Sequence, residues 1–491
     1  MLYTKIQGFS MAEISRFSTA SLITRSTNDI QQVQMLITMG LQMAIKAPVT
    51  AVWAIVKISG KEWQWSCAVA LAVCFLLVVI IAVMTTVTPK FKEMQRRTDN
   101  LNRVTRENLT GIRVIRAYNA EAYHEKKFEK ANTEFTKTQL FTGRMMAILS
   151  PVMTGVMNGI SLAIYWIGAA LINRATPQTA PGLFGDMVVF MSYGMQIISA
   201  FMMLAMMFML APRAMVSVKR INEVLDTDVT IKDGNGVGQT LEKGSVEFRG
   251  VSFRYPDSEE YVLKDVSFSA HPGQTVAFIG ATGCGKSTVV NLVSRYYDAT
   301  RGTVLVDGHD IREYKKDELA AKIGVVSQKA LLFSGDIREN VNFGDNNADD
   351  DVLTQAVAVA QGSDFVFGEK GGLSARVAQG GSNFSGGQKQ RLSIARAVAR
   401  EPEILIFDDS FSALDFKTDK ALRAALKEKL RGSTRLIVAQ RIGTIMDADR
   451  IIVLDNGCVV GDGTHRQLLE TCETYREIAE SQLSEEELKH A

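Results

Sequence analysis

The sequence contains no C-x-x-C pair. Its five cysteines, Cys67, Cys74, Cys284, Cys458 and Cys472, are scattered along the chain, which argues against a zinc framework or a disulfide scaffold and fits reduced, cytosolic thiols. Net charge is nearly absent too, since 55 Lys and Arg stand against 53 Asp and Glu for a balance of +2. That balance does not suit binding through bulk positive charge, so no nucleic-acid partner is expected. The opening stretch does not resemble a secretory signal, because Lys5, Glu13 and Arg16 interrupt it before an apolar core can develop. Any insertion into a membrane would use internal spans.

Charge is missing altogether from three stretches, 63–89, 145–173 and 187–212. Each exceeds the roughly 20 residues that cross a bilayer as a helix. A fourth, 30–57, is interrupted only by Lys46 and, at its last residue, Lys57. Between the second and third spans lies a segment rich in Lys and Arg, including Lys90, Lys92, Arg96, Arg97, Arg103, Arg106, Arg113 and Arg116. The positive-inside rule makes it cytoplasmic, and four spans then leave both ends in the cytoplasm. Methionines crowd the last span, among them Met187, Met191, Met195, Met202, Met203, Met206, Met207 and Met209. Soft, unbranched side chains suit an adaptable cavity, but ordinary lipid-facing or packing use is the favoured reading.

From about Leu241 the pattern changes to short β-branched runs, glycine-rich turns and helical stretches, as an α/β domain requires. The strand-like run Thr275 to Ile279 opens into Gly280, Ala281, Thr282, Gly283, Cys284, Gly285, Lys286, Ser287 and Thr288, with apolar helix-like sequence after them. This is a Walker A loop in its expected context. Glycines let backbone N–H groups close around phosphate oxygens, and the following helix adds partial positive charge. The chemistry implies ATP with Mg2+: Lys286 reaches the outer phosphates and Ser287 the metal. A second apolar strand, Ile404 to Phe407, ends in Asp408 and Asp409. Asp408 suits a Walker B carboxylate holding the metal.

Ahead of that strand, Ser385, Gly386, Gly387 and Gln388 follow Asn383-Phe384. This closely resembles the LSGGQ signature of the ABC ATPase family, and nearly the whole chain resembles an exporter half of that family. The resemblance implies a helical transmembrane bundle over 1–215, a linker over 216–240, an ABC ATP-binding domain over 241–480 and a polar tail over 481–491. It also implies that the signature completes the ATP site of a second half-transporter. Tyr255 matches the aromatic that stacks on adenine, and Gln328 the glutamine linking the metal to the membrane domain. Asp415, in Ser412-Ala-Leu-Asp415, matches the D-loop. Residues 109–128 resemble the exporter loop whose coupling helix docks on a nucleotide domain, with Tyr118 as the candidate docking residue. Residues 9–25 resemble the preceding cytoplasmic loop. Exporters of this type carry six spans per half, so an N-terminally truncated chain is expected.

The pattern breaks at the hydrolytic positions. Asp409 stands where the family has the glutamate that polarises water, and its side chain is one methylene shorter. Gln440 replaces the switch histidine; glutamine can hydrogen-bond a γ-phosphate but cannot become cationic. Gln379 replaces an acidic residue shortly before the signature. Asp409 and Gln440 are thus the candidate catalytic pair of a weakly hydrolytic site, a combination that resembles the degenerate subunit of bacterial heterodimeric multidrug exporters. The resemblance places the chain in the plasma membrane, in contact with lipid and with hydrophobic or amphipathic substrates. A homodimeric exporter with slow hydrolysis and a regulatory ATP-binding subunit that does not pump are the alternatives.

Overall fold

The computed structural model describes residues 1–238, 240, 242–344, 348–368 and 371–483. The chain forms two units: Ile23–Asp226, and the residues from Thr227 onward together with Met1–Leu22.

Among the described residues, four helices are long and apolar enough to cross a membrane: Thr19–Ile58, Trp63–Thr110, Glu121–Arg174 and Ala180–Leu204, the last within the longer helix Ala180–Leu225. The helices outrun the uncharged stretches that mark them: Trp63–Thr110 continues past its apolar run, and Glu121–Arg174 begins well before its own. The 48 residues of Trp63–Thr110 span roughly 70 Å, more than twice a hydrocarbon core of about 30 Å. The surplus is the Lys- and Arg-rich segment, and it is tied to the start of the helix Glu121–Arg174. Lys127 Nζ donates to Glu107 Oε1 at 2.9 Å, His124 Nδ1 pairs with Asn108 Oδ1 at 2.7 Å, and Arg97 pairs with Glu134. Residues 216–225, expected in the linker, continue the last helix. The side chain of Met209 lies outside the described residues, as do Leu241 and 484–491.

Within this unit the apolar packing centres on Trp65 and Phe190, both fully buried with ring centroids 5.2 Å apart. Trp65 satisfies its indole N–H on the Ile164 carbonyl at 3.1 Å, as a buried donor must. The first helix contains a π-helical turn at Arg25–Asp29. Both of its end residues are buried and bonded to the last helix, Arg25 Nη1 to Glu223 Oε2 and Ser217 Oγ to Asp29 Oδ1, each at 2.8 Å.

The second unit is built on a six-stranded sheet in the order Cys458–Gly463, Arg450–Asp455, Thr275–Ile279, Thr434–Val438, Ile404–Asp408, Ile323–Val326. The edge strand Cys458–Gly463 is antiparallel and the other pairings are parallel. Parallel strands are covered on both faces, which explains why their sequences read as continuous apolar runs rather than alternating ones. Val276 and Phe278 pack into one core, while Ala277 and Ile279 face the other. The helix Lys286–Val293 sits in the first core and the helix Gly386–Val398 in the second.

The segment Met1–Leu22, assigned by sequence to the membrane half, packs with this unit. Phe9 and Phe17 are buried and stacked at 5.9 Å. Ser10 caps the helix Met11–Phe17, and Glu13 closes the capping box. Glu13 Oε1 also accepts from the Thr230 backbone at 3.1 Å and from the Thr230 hydroxyl. Burial works to raise the Glu13 carboxyl, but the hydrogen bonds from Ser10 and Thr230 outweigh it and hold the group below the usual carboxylate range. A carboxyl lowered on folding adds stability above its unfolded pKa, and that contribution disappears as pH falls through the folded value. Glu13→Ala is therefore expected to speed amide exchange in Met11–Phe17 by about tenfold, since hydrogen bonds to a charged acceptor are lost. Acidification below about pH 4 should loosen the same segment. Unchanged protection in hydrogen-exchange mass spectrometry of the variant would show that Glu13 is not the anchor.

Candidate active site

The strand Thr275–Ile279 lies inside the sheet, between Arg450–Asp455 and Thr434–Val438. Its C-terminal end therefore opens beside the ends of its neighbours, the usual place for a ligand in an open parallel sheet. Gly280 leaves the strand at φ 151° so close to the next strand that an added Cβ would lie 2.0 Å from the Leu454 carbonyl oxygen. Gly285 adopts φ 104° as the N-cap of the helix Lys286–Val293, a conformation that costs glycine nothing. Ala281, Thr282 and Gly283 form the exposed crest of the loop, with Cys284 buried behind it. The loop curls around an ammonium: Lys286 Nζ donates to the Gly280 and Ala281 carbonyls, both at 2.8 Å.

Two carboxylates close the far side. Ser287 Oγ donates to Asp408 Oδ1 at 2.7 Å, so a hydroxyl from the helix and a carboxylate from the strand Ile404–Asp408 meet. These are hard oxygen donors of the kind Mg2+ takes, and the pair fits that metal. Burial pushes the Asp408 carboxyl up; the bond from Ser287 works against this, the neighbouring Asp409 charge adds to it, and the Lys286 ammonium opposes it. A divalent cation would relieve that cost.

Asp409 is the unusual residue. It is 8% exposed and adopts φ 48°, a left-handed conformation that few non-glycine residues occupy. Its backbone N–H donates to the Val438 carbonyl at 3.0 Å, extending the ladder with the neighbouring strand by one bond. Its Oδ2 then accepts two carboxamide donors, Gln440 Nε2 at 2.8 Å and Gln328 Nε2 at 3.0 Å. The three residues stand at the ends of three adjacent strands, Thr434–Val438, Ile404–Asp408 and Ile323–Val326, so strand order alone brings them together. Gln328, expected at the metal, thus turns its amide nitrogen toward Asp409.

On the aromatic side, Tyr255 places its hydroxyl 3.1 Å from Thr288 Oγ1 and packs edge-on against Phe253 and Tyr297 at 5.0 and 5.2 Å. Tyr297 escaped the sequence reading, because nothing in its spacing separates it from an ordinary core aromatic. So did Gln390, buried on the signature helix and donating to the Ser327 carbonyl at 3.1 Å beside Gln328. A lone glutamine on an apolar helix face was the available signal.

Ser385, Gly386, Gly387 and Gln388 open the helix Gly386–Val398, whose buried residues lie in a different core from Cys284 of the Walker loop. Ser385 is the N-cap of the helix Gly386–Val398: its hydroxyl accepts from Gln388 N at 3.3 Å, and Gln388 Oε1 accepts from Ser385 N at 2.9 Å. This capping box presents a helix N-terminus and two glycines at the surface. Asp415 caps the helix Phe416–Lys429 by accepting from the Thr418 N–H and hydroxyl, and those bonds hold its carboxyl low. Tyr118 follows the short helix Ile112–Ala117 and is 80% exposed.

A membrane-spanning helical unit joined in one chain to a phosphate-cradling α/β unit defines an ATP-driven membrane transporter. Residues 263–412 match the ABC transporter family, and residues 1–211 match the ABC transporter transmembrane region. An uncharacterized ABC transporter ATP-binding protein of Mycobacterium tuberculosis is 40% identical over 486 residues, covering 98% of this chain and 82% of that protein. The ATP-dependent lipid A-core flippase of Pseudomonas aeruginosa is 31% identical over 473 residues, covering 95% of this chain and 76% of the flippase. The solved structure of a bacterial Atm1-family ABC exporter with ATP bound superposes with a TM-score of 0.81 at 25% identity, covering 99% of this chain and 85% of that one. The chain belongs to the ABC transporter family and is a half-transporter of the exporter type, with transmembrane and ATP-binding portions fused.

Proposed function

We propose that this chain is the degenerate-site half of a heterodimeric ABC exporter that moves amphipathic compounds, lipids or peptides. The observation that carries the quiet site is the double clamp on Asp409, whose Oδ2 is held by Gln440 and Gln328 at 2.8 and 3.0 Å. A general base must reach the attacking water at about 2.6–3.2 Å. A carboxylate one methylene short, and already bonded to two amide donors, is poorly placed to take that proton. Binding does not need it. Tyr255 stacks on adenine, the loop from Gly280 to Thr288 cradles the phosphates, and Lys286 leaves its carbonyl partners for the outer ones. Ser287, Asp408 and Gln328 would hold Mg2+, which would supply neutralisation of phosphate charge. Ser385, Gly386, Gly387 and Gln388 complete the partner's site, with Asp415 at the contact between nucleotide domains. Tyr118 docks on a nucleotide domain as the coupling residue. The likeness to lipid A-core flippases supports lipids among the candidate cargoes.

Purified and reconstituted alone, the chain should bind ATP yet turn it over at least about tenfold more slowly than when paired with a hydrolysis-competent second half. Phosphate release from both preparations decides it. Equal turnover by the lone chain would return the protein to the homodimeric class.

A further inference from the structure

We propose that Gln482 is a positioning residue that fixes the loop carrying Gln440, an inference resting on the reading of Gln440 as the residue facing the γ-phosphate. The Gln482 side chain bridges two backbone groups of that loop. Its Nε2 donates to the Gln440 carbonyl at 2.9 Å, and its Oε1 accepts from the Ile442 N–H at 2.8 Å. Both groups lie where the strand Thr434–Val438 has ended and the four-residue helix Ile442–Ile445 begins. An N–H in a first helical turn has no partner within its own helix, and Gln482 supplies one from outside.

The brace is itself held firmly. The helix Glu473–Glu480 buries Tyr475 and Ala479 completely, and Leu483 packs against the same core. Between these anchors the backbone N–H groups of Gln482 and Leu483 both donate to the Ala479 carbonyl, at 3.1 and 2.8 Å. On the opposite side of the loop, the Gln440 side chain ends on Asp409 Oδ2 at 2.8 Å. A continuous line of hydrogen bonds therefore runs from Gln482 through Gln440 to Asp409, and on to Gln328. A carboxamide donates from its nitrogen and accepts at its oxygen at once, which suits this pair of backbone groups. Glutamate would set a carboxylate oxygen against the Gln440 carbonyl, and asparagine would fall one methylene short. Gln482 lies within the stretch that the sequence assigns to a polar tail.

The test is the preference for ATP over ADP, measured by displacement of a fluorescent nucleotide from the full chain in nanodiscs. Gln482→Ala should reduce that preference about fivefold with ADP affinity unchanged, and Tm should fall by no more than the loss of two neutral hydrogen bonds implies. Gln482→Glu, nearly identical in shape, should do the same. Gln440→Ala should reduce the preference as well, and the double variant should be no worse than Gln440→Ala alone. If Gln440→Ala acts but Gln482→Ala does not, or if Gln482→Ala weakens both nucleotides in parallel, the positioning role is overturned. If Gln440→Ala leaves the preference untouched, the reading of Gln440 fails first, and the proposal falls with it.

Discussion

Replacing Asp409 by Glu and Gln440 by His together is expected to raise ATP turnover by the lone chain about a hundredfold. Geometry limits this site before electrostatics does. Asp409 leaves its strand at φ 48° and points a short side chain into a pair of amide donors. One added methylene advances the carboxylate by roughly the 1 Å that separates productive from unproductive placement. Histidine at 440 then removes one of the two amides that engage Asp409 Oδ2, and restores a group able to carry positive charge beside a γ-phosphate. Each change alone should gain less. Asp409→Glu leaves Gln440 free to follow and pair with the longer side chain, and Gln440→His leaves the carboxylate too far back. Steady-state phosphate release reads the gain, and nucleotide binding measured in parallel shows that the site has not simply become more accessible. A double variant that binds ATP as before and turns over no faster would sink the quiet-site explanation.

The parts legible in the sequence were those where physics leaves a local trace. A loop that must approach a backbone within contact distance, as Gly280 approaches Leu454, admits only glycine and so spells itself out. Four apolar stretches marked the spans, but not the lengths of their helices: nothing in the residues after Pro89 stops Trp63–Thr110 from continuing through charged sequence. The substitutions at 409 and 440 were visible against the family pattern. Their mutual hydrogen bonding was not, because Gln328, Asp409 and Gln440 meet through strand order, and strand order is a property of the whole sheet. The placement of Met1–Leu22 was equally hidden. Glu13 reads as an ordinary capping-box residue, and its bond to Thr230 joins positions 217 residues apart in the chain.

Ser385→Asp should abolish most turnover in the paired transporter, by at least about a hundredfold, while leaving the fold intact. Aspartate is as good an N-cap as serine, so the helix Gly386–Val398 keeps its cap on Gln388 N, and the added charge suits the helix N-terminus. Stability should therefore hold within about 0.5 kcal/mol. On the proposed reading, what changes is the surface offered to the partner's nucleotide: a neutral hydroxyl beside two glycines becomes an anion where a γ-phosphate would face it. Like charges in a site from which water is largely excluded repel strongly, so the closed pair is disfavoured at the point where hydrolysis begins. The separation of the two readouts is what makes the variant informative. A merely structural serine would be replaced without loss of turnover, and a damaged fold would show first in the melting temperature. Loss of turnover at constant Tm, with ATP still bound to the Walker loop of this chain, isolates the signature as the part acting across the dimer.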